Sequence, residues 1–495
     1  MKTAIAPGLA SDIASSAENL DRSLARGIAW TGGVKWFSQM LSWLSTIAVA
    51  RILLPEDYGL IAMATTVLGL VSMLNEFGLG SAIVMLRKLS EEQVAQLHGL
   101  ALLLGTAGFL VTASAAVPIA DFYSAPQLSW VVVAMGIGLV FSGVRSVPAA
   151  LLERELKFKL IAFLEGSQSI ITAVVIVVLA YLGFGYWALV WGGIVGTLSA
   201  AIAVTILRPQ HFRMPRPLVL QDVVQFSWHI LISRVSWYLC ATADLFIGGR
   251  FLGASTVGVY SFGCTLANVP VDKVTSLVNR VTPAFYSTIQ SDVSAIRRYL
   301  LVLTEGLALT TFPVGVGMAL VADDVIPLLL GDKWQVVVPP LRILACYAAL
   351  RSVTSLIAPI LFVTGGSRLG MWNGMFGLAT FPLGFWIGSH WGAVGLAWTW
   401  FIVHPMNLVM IYWHVMKKIN LSVLNYLKAM IPALCSVALM AAAVYAIRDL
   451  SVDWPEYSRV LLEVGGGAAT YAVLVVAIWR SRLEKIAHLL RANQA

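Results

Sequence analysis

The segment Ala50-Arg51-Ile52-Leu53-Leu54-Pro55-Glu56-Asp57-Tyr58-Gly59-Leu60 has a counterpart later in the chain, from Gly249-Arg250-Phe251-Leu252 through Val257-Gly258-Val259. The two copies lie 199 positions apart, and the same offset pairs Lys35 with Arg234. Each of these two cations stands within a long apolar segment. A charge at the centre of a membrane helix costs about 2.5–3.5 kcal/mol on insertion scales, so a cation kept twice at one place predicts a function. An anionic cargo is the first candidate; a structural ion pair or a side chain that snorkels to the interface is the alternative.

The composition predicts an all-α integral membrane protein. Of the 495 residues, 59% are hydrophobic and 12% are charged, whereas a soluble domain has about 25% charged residues. Windows of about 20 apolar residues, enough to cross about 30 Å of hydrocarbon, recur from about Gly27 to about Arg480. We predict about fourteen membrane helices, which start near residues 28, 58, 99, 128, 161, 187, 223, 257, 300, 340, 371, 393, 427 and 459.

The basic residues predict the orientation, because Lys and Arg collect in cytoplasmic loops. Placing the amino terminus in the cytoplasm puts most of them on that side, and an even number of helices returns the basic carboxyl terminus there. Residues 1–27 lack the basic start and apolar core of a signal peptide and are predicted to be a cytoplasmic tail. The net charge of +8 is accounted for by loops beside anionic lipid head groups, so no nucleic-acid partner is predicted.

The repeat predicts two lobes of six helices each. Because six helices separate equivalent positions, the lobes are parallel repeats about an axis along the membrane normal, and the substrate site is expected between them. A basic, proline-rich stretch forms the predicted connection. The predicted parts are a cytoplasmic tail (1–27), an amino-terminal lobe (28–206), a cytoplasmic linker (207–222), a carboxy-terminal lobe (223–415), helices 13 and 14 (416–480) and a cytoplasmic tail (481–495).

Polar side chains accompany both repeated cations. Lys35 is followed by Gln39, Ser42 and Thr46 at spacings that form one stripe on a helix, and such a stripe should not face lipid. In the second lobe, Arg234 is followed by Trp237 and Tyr238, whose rings are candidates for stacking on sugars, and by Asp244. We therefore predict that the first helix of each lobe lines a shared cavity.

Three further cations are predicted within membrane helices: Arg145, Lys273 and Arg351. Asp272 and Glu305 are predicted toward cytoplasmic helix ends, where snorkelling or a helix-end role is the simpler account. Asp272 is interpreted as a local neutraliser of Lys273. The pair Asp323-Asp324 lacks companion histidines or carboxylates, so a solvated loop is favoured over a metal or catalytic site. The four cysteines lack paired spacing, and no metal or cofactor is predicted.

Several stretches resemble polysaccharide flippases of the Wzx type, especially the branch of colanic-acid exporters. The first is the motif from Ala50 to Ala64, which is followed by Asn75-Glu76-Phe77-Gly78-Leu79. The resemblance covers essentially all fourteen predicted helices. Further matching stretches are residues 150–159, 244–253 and 279–285.

The resemblance implies the fold of the multidrug/oligosaccharidyl-lipid/polysaccharide exporters, with two six-helix bundles in a V shape and alternating access. It implies that the chain moves undecaprenyl-pyrophosphate-linked oligosaccharides from the cytoplasmic to the periplasmic leaflet of the bacterial inner membrane. Polysaccharide polymerase or export machinery would be the protein partner. The cations that would hold the pyrophosphate in a central cavity are Lys35, Arg145, Arg234, Lys273 and Arg351.

Two other functions are kept as alternatives: a membrane polysaccharide polymerase or glycosyltransferase, and a cation-coupled drug exporter of the same fold. The short predicted outer loops disfavour the enzyme, and the surplus of intramembrane cations disfavours the drug exporter. No ATP-binding motif is present, so the driving energy is expected from an H⁺ or Na⁺ gradient, the membrane potential or consumption of product outside. Asp244 and Glu305 are the candidate sites for a coupling ion.

Overall fold

The structure, a computed structural model, describes residues 39–76, 79–80, 83, 89–216 and 235–491, with side chains described as far as residue 478. Throughout these ranges the regular elements are helices, as the composition predicts. Ten of the described helices are long and apolar enough to cross a membrane. The predicted helices near residues 28 and 223 begin outside the described residues, so the number fourteen stays a prediction.

The helices follow one another with short connections. A segment of helix at 235–241 precedes α7, and a 3₁₀ turn at Asp332–Val337 precedes α9. In chain order they are α1 (described at 39–52), α2 (Pro55–Glu76), α3 (Glu91–Tyr123), α4 (Leu128–Arg154), α5 (Phe158–Tyr181), α6 (Tyr186–Leu207), α7 (Ala243–Thr288), α8 (Val293–Leu330), α9 (Val338–Thr354), α10 (Ile357–Val363), α11 (Ser367–Ser389), α12 (Gly392–Lys418), α13 (Val423–Lys428), α14 (Ile431–Leu450) and α15 (Glu456–Arg491).

The chain divides into two compact units. The first comprises the described residues within Met1–Leu53, Val67–Ala120 and Pro126–Val235. The second comprises Leu54–Thr66, Asp121–Ala125 and the described residues from Ser236 onward. The largest buried apolar cluster of the second unit draws on α7 to α10 and α12 to α15, so the last two long helices share its core.

The repeated motif begins a helix, as its residue types predict. α2 starts at Pro55, whose missing N–H costs nothing in the first helical turn. The carboxylate of Asp57 reaches back and accepts a hydrogen bond of 2.8 Å from the backbone nitrogen of Leu54. This bond satisfies an amide that the helix itself leaves unpaired, in the manner of a capping box.

The two copies of the motif cross each other at small residues within the second unit. A Cβ on Gly59 would overlap the carbonyl oxygen of Ala254, and a Cβ on Gly258 would overlap that of Pro55. The offset of 199 makes Pro55 equivalent to Ala254 and Gly59 equivalent to Gly258. The crossing of α2 and α7 is therefore symmetric with respect to the repeat, and both glycines are needed for the backbones to approach.

A single residue interrupts the long helix α7. Gly253 has φ 78° and ψ 173°. This conformation lies outside the helical region, and glycine adopts it more readily than other residues because it has no Cβ. In the first repeat the equivalent break lies at Leu53–Leu54, between α1 and α2. The predicted boundary between the seventh and eighth helices is thus a kink at one residue, Gly253.

The pair Asp323-Asp324 lies inside α8 and not in a loop, which corrects the interpretation drawn from the sequence. Arg448 of α14 contacts Asp324 (Nη2–Oδ2 2.7 Å) and Glu463 of α15 (Nε–Oε1 3.1 Å). Arg459 also pairs with Asp324, and Arg342 pairs with Asp323. The six side chains form an ionic network of three acids and three arginines. Because these cations neutralise the acids, the helix continues through them to Leu330.

The described part of the predicted linker lies along the start of α3, within the first unit. The backbone nitrogen of Arg216 donates to the buried side-chain oxygen of Gln96 (3.0 Å), and Arg213 pairs with Glu92 (3.0 Å). A Cβ on Gly99 would overlap the carbonyl oxygen of Arg213. The small size of Gly99 therefore allows the linker backbone to pack directly on the helix.

Candidate functional site

Lys35 and Arg234, the two cations that the repeat makes equivalent, lie outside the described residues. The hypothesis that they line one cavity stays a prediction. The other predicted cations and polar residues are described, and they fall into separate groups in the two units.

In the first unit, Arg145 on α4 donates to the side-chain oxygen of Gln168 on α5 (2.8 Å). Its partner is thus a neutral amide, and both side chains are half-buried. A guanidinium that bonds an amide keeps its full positive charge uncompensated by that contact. Arg145 therefore remains suited to an anionic ligand.

The predicted polar stripe on α1 is half-buried at Gln39, Ser42 and Thr46. Thr46 donates to the backbone carbonyl of Ser42 (2.8 Å), a bond that satisfies its hydroxyl within the helix. Met40, Trp43 and Leu44, on the other faces, are exposed. An apolar face turned outward with polar residues turned inward is the arrangement that a membrane helix requires.

The second unit contains an arginine held by two polar side chains of a neighbouring helix. Arg351 on α9 donates through Nη2 to Asp272 (2.6 Å) and to the amide oxygen of Asn268 (3.2 Å) on α7. We call these three residues the Arg351 cluster. Asp272, interpreted from the sequence as a local neutraliser of Lys273, pairs with Arg351 in the structure. Lys273 is exposed on the same helix.

Asn268 and Asp272 lie on one face of α7 because they are four residues apart, about one helical turn. Their contacts with Arg351 show that this face meets α9. Asn279, further along α7, accepts a hydrogen bond from Ser355 at the end of α9 (3.2 Å). This polar face of α7 was not predicted from the sequence. The spacing of Asn268, Asp272 and Asn279 was the available signal, although it does not say which helix they meet.

A second polar group surrounds Asp244, which is only 6% exposed. Its Oδ2 accepts hydrogen bonds from the Tyr260 hydroxyl (2.7 Å) and from the indole nitrogen of Trp400 (3.2 Å). The same indole lies 2.8 Å from the Tyr260 oxygen, and the backbone nitrogen of Leu245 donates to Oδ1 (2.8 Å). We call Asp244, Tyr260 and Trp400 the Asp244 network. The three donors satisfy the polar atoms of this buried side chain.

Tyr347 connects the two groups. Its ring stacks on Trp400 with centroids 5.6 Å apart, and it lies one helical turn before Arg351 on α9. His404, one turn after Trp400 on α12, presents its ring edge to Tyr347 at 5.5 Å. The Arg351 cluster and the Asp244 network therefore belong to one continuous polar and aromatic region spanning α7, α9 and α12.

The remaining predicted site residues lie elsewhere. The hydroxyl of Tyr238 donates to the backbone carbonyl of Thr66 (2.8 Å), and Trp237 is 68% exposed. Glu305 lies half-buried on α8. Within the described part of the chain, no group of three or more histidine, cysteine, aspartate or glutamate side chains could hold a metal ion.

Comparison with known proteins gives a consistent result. The family described as "Polysaccharide biosynthesis protein" matches residues 48–339. The succinoglycan biosynthesis transport protein ExoT of Rhizobium meliloti (strain 1021) is 26% identical over 96% of this chain and 97% of its own length. The lipopolysaccharide biosynthesis protein WzxC of Escherichia coli (strain K12) is 24% identical over 75% of this chain and 76% of its own.

Among solved structures, the lipid II flippase MurJ in an inward closed conformation is similar in fold. It superposes with a TM-score of 0.71 over 92% of this chain and 99% of its own, at 14% identity. At this identity the likeness shows a shared arrangement of helices and carries no residue-by-residue correspondence.

Proposed function

This chain belongs to the polysaccharide biosynthesis protein family, and from that premise we propose that it is a flippase that carries lipid-linked oligosaccharide units across the membrane. Its relatives and its apolar helices indicate a multi-pass membrane transporter of polysaccharide biosynthesis. MurJ, which shares the fold, is named as a lipid II flippase.

The observation that carries the proposal is the position of Arg351. It lies in a stretch of helix long and apolar enough to span the membrane, yet its side chain keeps 37% exposure. An arginine within an apolar membrane span, in the last turn of α9 but not sealed by packing, marks a path for an anionic group. A guanidinium also matches phosphate oxygens in geometry, because it offers paired N–H donors in one plane.

The finer picture combines Arg351 with the other cations. We propose that Arg351, Arg145, Lys273, Lys35 and Arg234 serve a cationic central cavity that accepts the pyrophosphate of an undecaprenyl-linked oligosaccharide. Alternating access then moves the head group from the cytoplasmic to the periplasmic leaflet of the bacterial inner membrane while the polyprenyl tail stays in lipid. Fourteen membrane helices with both termini in the cytoplasm complete the proposal, and a polysaccharide polymerase or export complex receives the cargo.

The Asp244 network is our proposed place for coupling to an H⁺ or Na⁺ gradient. Its buried carboxylate is held by hydrogen-bond donors from α7 and α12. Neutralising the charge of Asp244 would weaken its hydrogen bonds from Tyr260 and Trp400, because a protonated carboxyl oxygen is a weaker acceptor than a carboxylate oxygen. Such a change would therefore alter the packing of α12 on α7, which is the kind of two-state element that transport requires.

The proposal is tested in cells by following the lipid-linked intermediate. A strain that lacks the gene is expected to accumulate the lipid-linked oligosaccharide in the inner leaflet and to stop making the polysaccharide. Wild type should restore synthesis, whereas Arg351→Gln should fail at equal protein abundance. Arg342→Gln is the matched control, since Arg342 lies on the same helix, pairs with an aspartate and is similarly exposed. Normal polysaccharide in the strain without the gene would overturn the proposed function.

A further inference from the structure

Arg351 has a carboxylate partner that shares its exposure to the surroundings. The side chains of Arg351 and Asp272 are 37% and 54% exposed, although the Nη2–Oδ1 distance is only 2.6 Å. Resting on the proposed function, we infer that Asp272 is an internal counter-anion, which occupies Arg351 when the transporter is empty and is displaced by the phosphate groups of the cargo.

The exposure of the pair makes exchange feasible. An exposed ion pair contributes little to stability where water and other ions compete for both charges. The pyrophosphate of the cargo carries two negative charges, one on each phosphate, against one on a carboxylate, and it can accept two parallel hydrogen bonds from a guanidinium. Phosphate should therefore win the competition for Arg351 without any large rearrangement of α9.

The other ion pairs of the second unit show the contrast. In the ionic network, the side chain of Glu463 is 0% exposed and that of Asp324 is 9% exposed, and both acids contact Arg448. Those acids are closed off from any ligand. Asp272 belongs to the exposed kind of pair, and it sits on α7 beside the polar region described above.

The neutral side chain of Asn268 gives the arginine a second support. Its amide oxygen accepts from the same Nη2 atom at 3.2 Å. When Asp272 is displaced, Asn268 continues to hold the guanidinium against α7. The contacts with Asp272 and Asn268 both use Nη2. Because a guanidinium has five N–H donors, those on Nε and Nη1 can bind the phosphate.

A counter-anion solves a problem that a single cation creates for a transporter. With cargo gone, an arginine without a partner in a membrane segment is costly. Asp272 restores neutrality on the empty return step and competes with the product for Arg351. Its removal should therefore tighten anion binding and slow release at the same time.

The test compares Asp272→Asn with wild type, using the full chain in lipid nanodiscs and inorganic pyrophosphate as the probe. Asp272→Asn should bind pyrophosphate about 2- to 5-fold more tightly, which is the worth of an exposed ion pair. In proteoliposomes the same variant should flip lipid-linked oligosaccharide more slowly at saturation while its half-saturating concentration falls. Asp272→Glu, which keeps the charge, should return both values toward wild type.

Asp323→Asn is the matched control, because it removes an aspartate of 43% exposure from an arginine in the same unit. It should leave pyrophosphate affinity unchanged. The double variant Arg351→Gln/Asp272→Asn should lose the gain in affinity.

If the wild type binds pyrophosphate and flips the cargo, but Asp272→Asn binds pyrophosphate no more tightly than the wild type, the role of Asp272 as a counter-anion is overturned. The flippase function is then unaffected. A wild type that neither binds pyrophosphate nor flips would overturn both.

Discussion

Gly59 and Gly258, equivalent residues of the two repeats, meet where α2 crosses α7. A Cβ on Gly258 would stand 2.9 Å from the backbone nitrogen of Gly59. Small residues of this kind let two helix backbones approach closely, and the resulting van der Waals contact is one of the forces that associate helices inside a membrane. The most regular part of the sequence pattern is therefore a site of close packing between two helices.

Substitution at this crossing should destabilise the protein. Gly258→Ala forces a methyl group against the carbonyl of Pro55, and we expect a loss of about 1–3 kcal/mol, as for overpacking in other cores. The measurement is thermal unfolding in detergent. Gly306→Ala is the control, because a Cβ there meets nothing within 4 Å. Equal unfolding temperatures for Gly258→Ala and wild type would contradict the crossing.

The ionic network should contribute strongly to the attachment of α14 and α15. Arg448→Met leaves the fully buried Glu463 without this cation, and breaking a buried pair from one side costs about 3–5 kcal/mol. Unfolding in detergent should show this loss, and Arg448→Met/Glu463→Leu should recover much of it. Arg342→Met, which breaks a half-exposed pair, should cost about 1 kcal/mol or less. Similar losses for the two single variants would refute this ranking.

Coupling through Asp244 predicts a change in ion dependence. In proteoliposomes, Asp244→Asn should make the flipping rate independent of an imposed H⁺ or Na⁺ gradient, because the amide cannot change charge. Glu305→Gln tests the other candidate in the same assay, and Asp323→Asn serves as a control carboxylate. If Asp244→Asn keeps the full response to the gradient, the Asp244 network is structural.

Glu155, in the turn between α4 and α5, should give a pH-dependent stability. Hydrogen bonding from Lys157 and the charge of Arg208 hold the pKa of Glu155 below its ordinary value of 4.5. A depressed pKa adds stability that is complete above the ordinary value and lost as the pH falls through the folded-state value. Glu155→Gln should therefore lower stability by about 1 kcal/mol or less at pH 7, since the pair is exposed.

The check is thermal unfolding of Glu155→Gln and wild type at pH 7 and at strongly acidic pH, where the difference should vanish. Glu153→Gln, at an exposed neighbouring position, is the control. A difference that persists unchanged in acid would show that the substitution acts through packing and not through charge.

The sequence predicted the helices well where hydropathy marks their ends. Predicted starts near 128, 187 and 393 agree with α4, α6 and α12, which begin at Leu128, Tyr186 and Gly392. It was wrong at Asp323-Asp324, because a charged pair resembles a loop unless its distant arginines are known. Hydropathy measures each residue alone, whereas neutralisation by Arg448 depends on a helix 124 residues away.

The cations of the candidate site were named from the sequence, but the side chains that they contact were not. Arg351 stands out in the sequence as a charge in an apolar window, but Asp272 lies 79 residues earlier. Only the fold brings the indole N–H of Trp400 to Asp244. Side-chain pairs across helices are set by packing between segments, which spacing along one segment does not encode.

The most direct test of the account is translocation by the purified protein in liposomes loaded with pyrophosphate-linked oligosaccharide. We predict that the sugar becomes accessible on the opposite leaflet without chain growth, and that Arg351→Gln loses this activity while Arg342→Gln keeps it. Elongation of the sugar chain, or efflux of cationic dyes without movement of the lipid-linked sugar, would contradict the flippase.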